Sequence, residues 1–198
     1  MKFLWSSAVQ TTCEYCHSIL VRTDVDLKKV GEVADLPRDA SPIQIGTEGI
    51  FNKKAFVVVG RIIYGYDQGN WNEWHFVNND GSSGWLSDAM LDYAVSYLTP
   101  TKTALPPRDQ LYTGKAVEFN GVWYEVTSVT TAQYLGVQGE LPFEYWDKNA
   151  CTFVDLRTPD ARFATIDFSE DPALLFTGQA VTYQELSLKN VKQFEGWS

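Results

Sequence analysis

Two stretches of this chain resemble each other closely enough to predict that one small β unit occurs twice. The segment GTEGIFNKKAFVVVGRI, which begins at Gly46, aligns without a gap with GKAVEFNGVWYEVTSVT, which begins at Gly114. The alignment pairs identical or similar residues, namely Gly46 with Gly114, Phe51 with Phe119, Asn52 with Asn120, Phe56 with Tyr124 and Val58 with Val126. After a shift of one residue, EWHF from Glu73 lies over ELPF from Glu140. An internal duplication is the simplest explanation of this match.

Short β-type runs, separated by Gly, Asn and Asp turn signals, fill the chain from Ile43 onward. They read AFVVVGRIIYGY, EWHFVNN, VWYEVTSV, CTFVDLR and FATIDF. Each copy of the repeat holds about five such runs, which is the scale of a small closed barrel. The sequence therefore predicts an all-β fold of two tandem SH3-like barrels that arose by internal duplication.

Proline residues mark the predicted boundary between the two barrels. Pro100, Pro106 and Pro107 fall in a linker at residues 100–112, which separates a first barrel at 43–99 from a second at 113–198. Residues 1–42 are predicted to form a partial zinc-ribbon knuckle and a linker. Within that linker, DLKKVGEVADL is predicted to form a turn or two of helix.

The charge balance argues against a nucleic-acid partner. The formal net charge is −9, and the 16 basic residues are scattered singly along the chain, so no basic patch is available for phosphate groups. No apolar run is long enough to span a bilayer, and we expect no direct membrane insertion. Three cysteines do not make a disulfide framework, so the predicted location is the reducing cytoplasm.

The stretch TTCEYCHSIL has the spacing of one half of a zinc site. Cys13 and Cys16 are separated by two residues, as in a zinc knuckle, and His17 is a conceivable third ligand. A tetrahedral zinc needs four ligands. Within one chain, His75 or Cys151 would have to complete the set; otherwise a second copy of the chain would supply its own Cys13 and Cys16. The favoured interpretation is a vestigial knuckle with two free or oxidisable thiols, so we expect no cofactor, with zinc at an incomplete site as the alternative.

The stretch GNWNEWHFV contains the richest set of candidate ligand-binding residues. In a strand, Trp71, Glu73 and His75 project to one side, while Trp74 and Phe76 project to the other side. The structural interpretation is that Trp74 and Phe76 fill a core, Trp71 covers its mouth and Glu73 bonds a neighbour such as Arg61.

The repeat adds a functional interpretation, because Glu140 occupies the position in the second copy that matches Glu73 in the first. The two carboxylates would then face a common cleft between the barrels and bind a cation, including a polyamine. The alternative is that each Glu caps its own turn. The candidate ligand-binding residues are thus Trp71, Glu73, His75 and Glu140, and the candidate metal ligands are Cys13 and Cys16.

The stretches CEYCHSILVRTD, WNEW, GWLSDA, GELPF and VDLRTPDARFATIDF together resemble the bacterial family called domain of unknown function 4178. The resemblance covers nearly the whole chain. It implies a cytoplasmic protein with a zinc-ribbon-like start, often encoded near membrane-stress proteins of the phage-shock type and near polyamine-synthesis enzymes. Relatives usually carry a first Cys-x-x-Cys upstream of the pair that matches Cys13 and Cys16, and here that knuckle would lie before Met1.

The predicted function is a non-enzymatic protein-binding or scaffold module, with another protein as its partner, in a membrane-stress or polyamine-linked system. It would act through the groove between the barrels or through exposed aromatic strand edges. The alternative is a small-ligand or cation-binding sensor, or an enzyme, that uses the cleft between the barrels. No catalytic residue is predicted, because the sequence holds no phosphate loop, no ordered Ser/His/Asp set and no nucleophile elbow. The sequence makes no prediction of oligomeric state.

Overall fold

The computed structural model describes residues 3–23, 27–32, 40–144 and 150–193, and its regular elements are strands apart from two single-turn 3-10 helices. The all-β class is therefore confirmed. The chain begins with a three-stranded antiparallel sheet, made of β1 (Gln10–Thr12), β2 (Ser18–Arg22) and β3 (Leu27–Glu32). The helix predicted for DLKKVGEVADL is wrong over its described part, because β3 occupies that part and pairs with β2.

Ten further strands follow in two sets of five. The first set is β4 (Glu48–Phe51), β5 (Lys54–Tyr66), β6 (Gly69–Asn78), β7 (Ser83–Ala89) and β8 (Asp92–Leu98). The second set is β9 (Ala116–Phe119), β10 (Val122–Gly139), β11 (Cys151–Arg157), β12 (Arg162–Asp167) and β13 (Leu174–Val181). Within each set, consecutive strands pair antiparallel. The 3-10 helices are Arg108–Gln110 and Gln184–Leu186.

The two sets join at two places into one ten-stranded sheet. Strand β8 pairs with β13, and the second part of β5 pairs with the second part of β10, from Gly60 opposite Gly139 to Gly65 opposite Gln133. The pairing therefore runs in a cycle through β5, β6, β7, β8, β13, β12, β11 and β10. Because shared ladders link the two halves, this sheet does not confirm two separate SH3-like barrels.

The first hairpin of each half has the same backbone geometry. Asn52 and Lys53 have positive φ in the turn between β4 and β5, and so do Asn120 and Gly121 between β9 and β10. Two-residue turns of this kind match the twist of a hairpin. The register of β5 against β6 shifts between Val58 and Gly60, and that of β10 against β11 shifts between the aligned residues Val126 and Ser128. The sequence alignment thus extends to the turns and bulges of the backbone.

Each half has its own hydrophobic core on the outer face of the cycle. Trp74 and Phe76, as predicted, are buried in the core of the first half, together with Leu186 from the end of the chain. The core of the second half includes Val126 and Leu156 and is completed by Leu111, which precedes β9. A third cluster lies between the halves, where Ile19 of β2 contributes to it. The face of the cycle that points inward is therefore the surface on which a site between the halves can form.

Candidate functional site

A cavity of about 660 Å³ lies between the two halves of the protein. All eight strands of the pairing cycle contribute side chains to it, among them Ile62 from β5, Glu73 from β6, Phe153 from β11 and Phe176 from β13. On every strand of the cycle except β10, the lining side chains sit at alternate positions, because successive residues of a strand point to opposite faces. On β10 the consecutive residues 127–131 line the cavity. The volume is that of a typical site for a small molecule.

Aromatic rings form much of the cavity wall. Trp71 stacks on Tyr64 with ring centroids 5.0 Å apart, and Phe153 meets Tyr64 edge-on at 4.9 Å and Trp71 edge-on at 5.7 Å. On another part of the wall, Trp85 stacks with Phe143 at 5.8 Å. The faces of such rings attract cations as well as apolar groups.

Glu73 presents its carboxylate to this cavity. The indole Nε1–H of Trp71 donates to Glu73 Oε1 at 3.0 Å, and the hydroxyl of Ser87 donates to the same oxygen at 2.6 Å. Oε2 receives no donor from the described residues. The pKa of Glu73 is raised to about 7, mainly by burial and to a smaller extent by the charges of Asp155 and Asp167, while the two hydrogen bonds act in the opposite direction. Glu73 is therefore a half-buried residue with one carboxyl oxygen left for a ligand.

Two more carboxylates line the same cavity from the second half. Asp155 of β11 accepts a hydrogen bond from the Ser128 hydroxyl at 2.9 Å, and burial raises the pKa of Asp155. Asp167 of β12 accepts the backbone N–H of Ser169 at 2.7 Å. The sequence reasoning missed both residues. Their signal is the alternation in CTFVDLR and FATID, which places each aspartate on one face of its strand, but that pattern does not say which face turns inward.

The residues that line the cavity carry only negative charge. Asp67 joins Glu73, Asp155 and Asp167 in the lining, which contains no Lys, Arg or His among the described residues. Arg157 lowers the pKa of Asp155, but its guanidinium group is bonded to Asp92 at 2.7 Å. The cavity therefore combines acidic and aromatic groups without an internal counter-charge.

The structure does not bring Glu140 to this cavity. Glu140 is buried, and its carboxylate accepts the backbone N–H groups of Leu4 and Trp5, with 2.7 Å to the latter. It therefore holds the segment before β1 instead of facing Glu73 across a cleft. Its backbone oxygen lies 2.9 Å from His75 Nδ1.

His75 also lies outside the cavity lining, between the rings of Trp5 and Trp85. Burial lowers the pKa of His75 to about 4, so its ring is neutral near pH 7 and Nδ1 donates to the carbonyl of Glu140. Of the four predicted ligand-binding residues, only Trp71 and Glu73 share one site.

Cys13 and Cys16 lie in the turn between β1 and β2, as a knuckle requires. The backbone N–H of Cys13 donates to Ser18 O at 2.9 Å, and His17 has a φ of 52° at the turn. The pKa of Cys16 is lowered, mainly because of the Ser18 hydroxyl, which lies 3.2 Å from its sulfur atom. Two thiols supply half of a tetrahedral set, and within the described ranges no group of three or more His, Cys, Asp or Glu residues could hold a metal ion. A complete zinc site therefore does not fit these residues.

The fold and the site define an all-β protein of two similar halves with an acidic, aromatic cavity between them. A model of the family described as Domain of unknown function (DUF4178) matches residues 44–182, and the chain belongs to this family. The match spans the ten-stranded sheet and all four carboxylates of the cavity. No curated protein and no solved structure matches the chain. Among the described residues there is no helix long and apolar enough to cross a membrane.

Proposed function

We propose that this protein binds a small organic cation in the cavity between its two halves. The observation that carries the proposal is Glu73, whose two hydrogen bonds both end on Oε1 and leave Oε2 without a donor from the described residues. Glu73 lines an aromatic cavity in which the described lining residues include no basic one. A ligand with a positively charged N–H group would donate to Oε2 while its carbon atoms pack on the rings of Trp71 and Tyr64.

The energetics favour a charged donor over a neutral one. An ammonium and a hydroxyl can both donate to the carboxylate, but only the ammonium adds the attraction of opposite charges, which makes its hydrogen bond the stronger one. A difference of about 1–1.5 kcal/mol between the two kinds of hydrogen bond is roughly tenfold in affinity. Asp155 and Asp167 add favourable potential for a cation and unfavourable potential for an anion. Polyamines, which the family resemblance links to this chain, are one class of such cations. Binding of this kind requires no reaction, and the proposed role is that of a sensor or carrier.

Matched pairs of probes test the charge requirement. We expect 1,4-diaminobutane and benzylamine to bind with a stoichiometry of one per chain in isothermal titration calorimetry, and 1,4-butanediol and benzyl alcohol to bind at least about tenfold more weakly. Glu73→Gln keeps an acceptor for Trp71 and Ser87 but removes the charge, so its preference for the amines should fall by a similar factor.

The control variant is Glu118→Gln, which changes the net charge equally at an exposed position of β9. It should bind the amines as the wild-type chain does. Equal affinity for an amine and its matched alcohol would refute the proposal, and so would an undiminished preference for the amine in Glu73→Gln.

The matching hairpins support a duplication as the origin of the two halves. The turns at Asn52 and Asn120 share positive φ, and the bulges after Val58 and Val126 fall at aligned positions. A core in each half fits the idea that the duplicated unit was a small five-stranded barrel of the SH3 kind. The free thiols of Cys13, Cys16 and Cys151 fit a role in the reducing cytoplasm. The protein-binding or scaffold role expected from sequence, through the groove between the barrels or through exposed aromatic strand edges, stays a prediction.

A further inference from the structure

The two halves differ in whether another segment of the chain covers the outer edge of their first strand. In the first half, the edge of β4 is covered by the chain itself, because Glu48 N–H donates to Lys189 O at 3.1 Å and Lys189 N–H donates to Glu48 O at 2.9 Å. The segment after the second 3-10 helix thus adds one β-bridge to the end of the sheet.

Asn190 strengthens this cover with its side chain and its carbonyl group. Its Nδ2 donates to Gly46 O at 2.8 Å, and its carbonyl accepts the Thr47 hydroxyl at 3.1 Å and Gln44 Nε2 at 3.0 Å. Thr47 is fully buried as a result. The first half therefore shows what kind of segment this edge accepts, namely an extended backbone followed by an amide side chain.

The equivalent edge of β9 in the second half has no such cover from the described residues. Phe119 and Val122 flank a two-residue turn and form a hydrogen-bonded pair, so the backbone groups of Ala116 and Glu118 point away from β10. Both residues are exposed. A Cβ atom added at Gly114 would meet nothing within 4 Å, whereas one at the aligned Gly46 would meet Asn190.

The side chains around this edge favour a basic segment. Glu125 lies opposite Ala116, and Trp123 lies opposite Glu118. Both glutamates are exposed, and Trp123 is 64% exposed, which is high for a tryptophan. Lys115, the neighbouring cation, is directed toward the exposed ring of Tyr112 at 6.0 Å. The edge thus offers two carboxylates, an aromatic surface and unpaired backbone groups.

We propose that the outer edge of β9 binds an extended, basic segment of a partner protein, which forms a bridge with Ala116 as Lys189 does with Glu48. Strand addition of this kind uses backbone hydrogen bonds for affinity and side chains for specificity. An exposed edge with a large aromatic residue is otherwise an aggregation hazard that proteins cover. The proposal is independent of the cavity and its ligand.

The probe is a fluorescently labelled peptide, LSLKNVKQ, which copies residues 186–193 of this chain. The intact protein should bind it at β9, because its own copy of the segment fills the β4 edge at a high effective concentration. Ala116→Pro removes the outward N–H without removing a ladder bond, and proline is tolerated at such edge positions. We expect this variant to bind the peptide about tenfold more weakly in fluorescence anisotropy, and the matched Ala116→Ser, which keeps the N–H, to bind it like the wild-type chain.

Three further measurements decide between outcomes. Replacing both lysines of the peptide by glutamate should weaken binding, and wild-type amides of Ala116 and Glu118 should exchange more slowly with the peptide bound. The exchange measurement needs no variant, so it stands even if Ala116→Pro fails to fold. Absence of peptide binding or equal affinities of the two Ala116 variants would overturn the proposal. A concentration-dependent dimer abolished by Ala116→Pro would also overturn it, since the occupant would then be a second copy of the chain.

Discussion

Removing the charge of Glu73 should stabilise the protein at neutral pH. Burial raises the pKa of this carboxyl from 4.5 to about 7. Above pH 4.5 the unfolded chain releases the Glu73 proton, while the folded chain keeps it until about pH 7. The contribution of Glu73 to stability is therefore fully present below pH 4.5 and is lost as the pH rises to about 7. At 1.36 kcal/mol per pKa unit, the loss is about 3 kcal/mol.

His75 has the opposite effect over nearly the same pH range. Burial lowers its pKa from 6.5 to about 4, so below pH 6.5 the unfolded chain gains a proton that the folded chain refuses until about pH 4. Folding therefore becomes about 3 kcal/mol less favourable as the pH falls through this range. Between pH 4.5 and 6.5, Glu73 makes the free energy of unfolding fall with rising pH and His75 makes it rise. The sum of the two effects in the wild-type chain is therefore small.

Glu73→Gln separates the two slopes. Glutamine Oε1 can accept the bonds of Trp71 and Ser87, so the variant loses the ionisation but keeps the hydrogen bonds. Urea unfolding from pH 4 to 8 at constant ionic strength should show the variant more stable than the wild-type chain by about 3 kcal/mol above pH 7. The difference should shrink toward pH 4.5. Glu118→Gln, at an exposed position, should show no such trend, and a stability difference for Glu73→Gln that does not change with pH would refute the reasoning.

Two other substitutions test the contacts that hold the fold around the cavity. Glu140→Ala removes the acceptor of the Leu4 and Trp5 amides, so we expect faster hydrogen exchange at both amides and a loss of about 1–3 kcal/mol in the free energy of unfolding measured with urea. Unchanged exchange would show that Glu140 does not hold these two amides. Gly178→Ala places a Cβ 1.8 Å from Val95 O at the β8–β13 junction, so it should lower the stability by about 3 kcal/mol or more, and a loss below about 0.5 kcal/mol would show that the strands separate easily.

The strands and the first hairpin of each half could be predicted because their signals are local. Alternating β-branched and aromatic residues, with Asn at the turns, fix where a hairpin begins and which residues share a face. The β3 strand had no such signal, since Leu27–Glu32 becomes a strand only by pairing with β2. Pairing with the preceding strand overrides local propensity in this segment.

The candidate site depended on contacts between the halves, which the sequence pattern does not contain. The pairings of β5 with β10 and of β8 with β13 decide which face of β11 and β12 turns inward, and hence that Asp155 and Asp167 meet Glu73. For the same reason, the alignment of Glu73 with Glu140 did not predict that only Glu73 lines the cavity. That match required a shift in the alignment, and the actual equivalent positions are set by the ladders.

The ladders show that the cavity is one asymmetric site. Ile62 pairs with Glu73, and the aligned Thr130 pairs with Phe153, so an acid in one half corresponds to an aromatic residue in the other. On the next strand, Ser87 pairs with Glu73 in the first half, and Asp167 pairs with Phe153 in the second half. The second half therefore carries its acidic residue one strand further along than the first half does. Each half thus contributes a carboxylate and an aromatic ring to the same cavity, Glu73 and Trp71 from the first half and Asp167 and Phe153 from the second. Because these groups line one cavity of about 660 Å³, we expect them to act on one cation, and hence a stoichiometry of one ligand per chain.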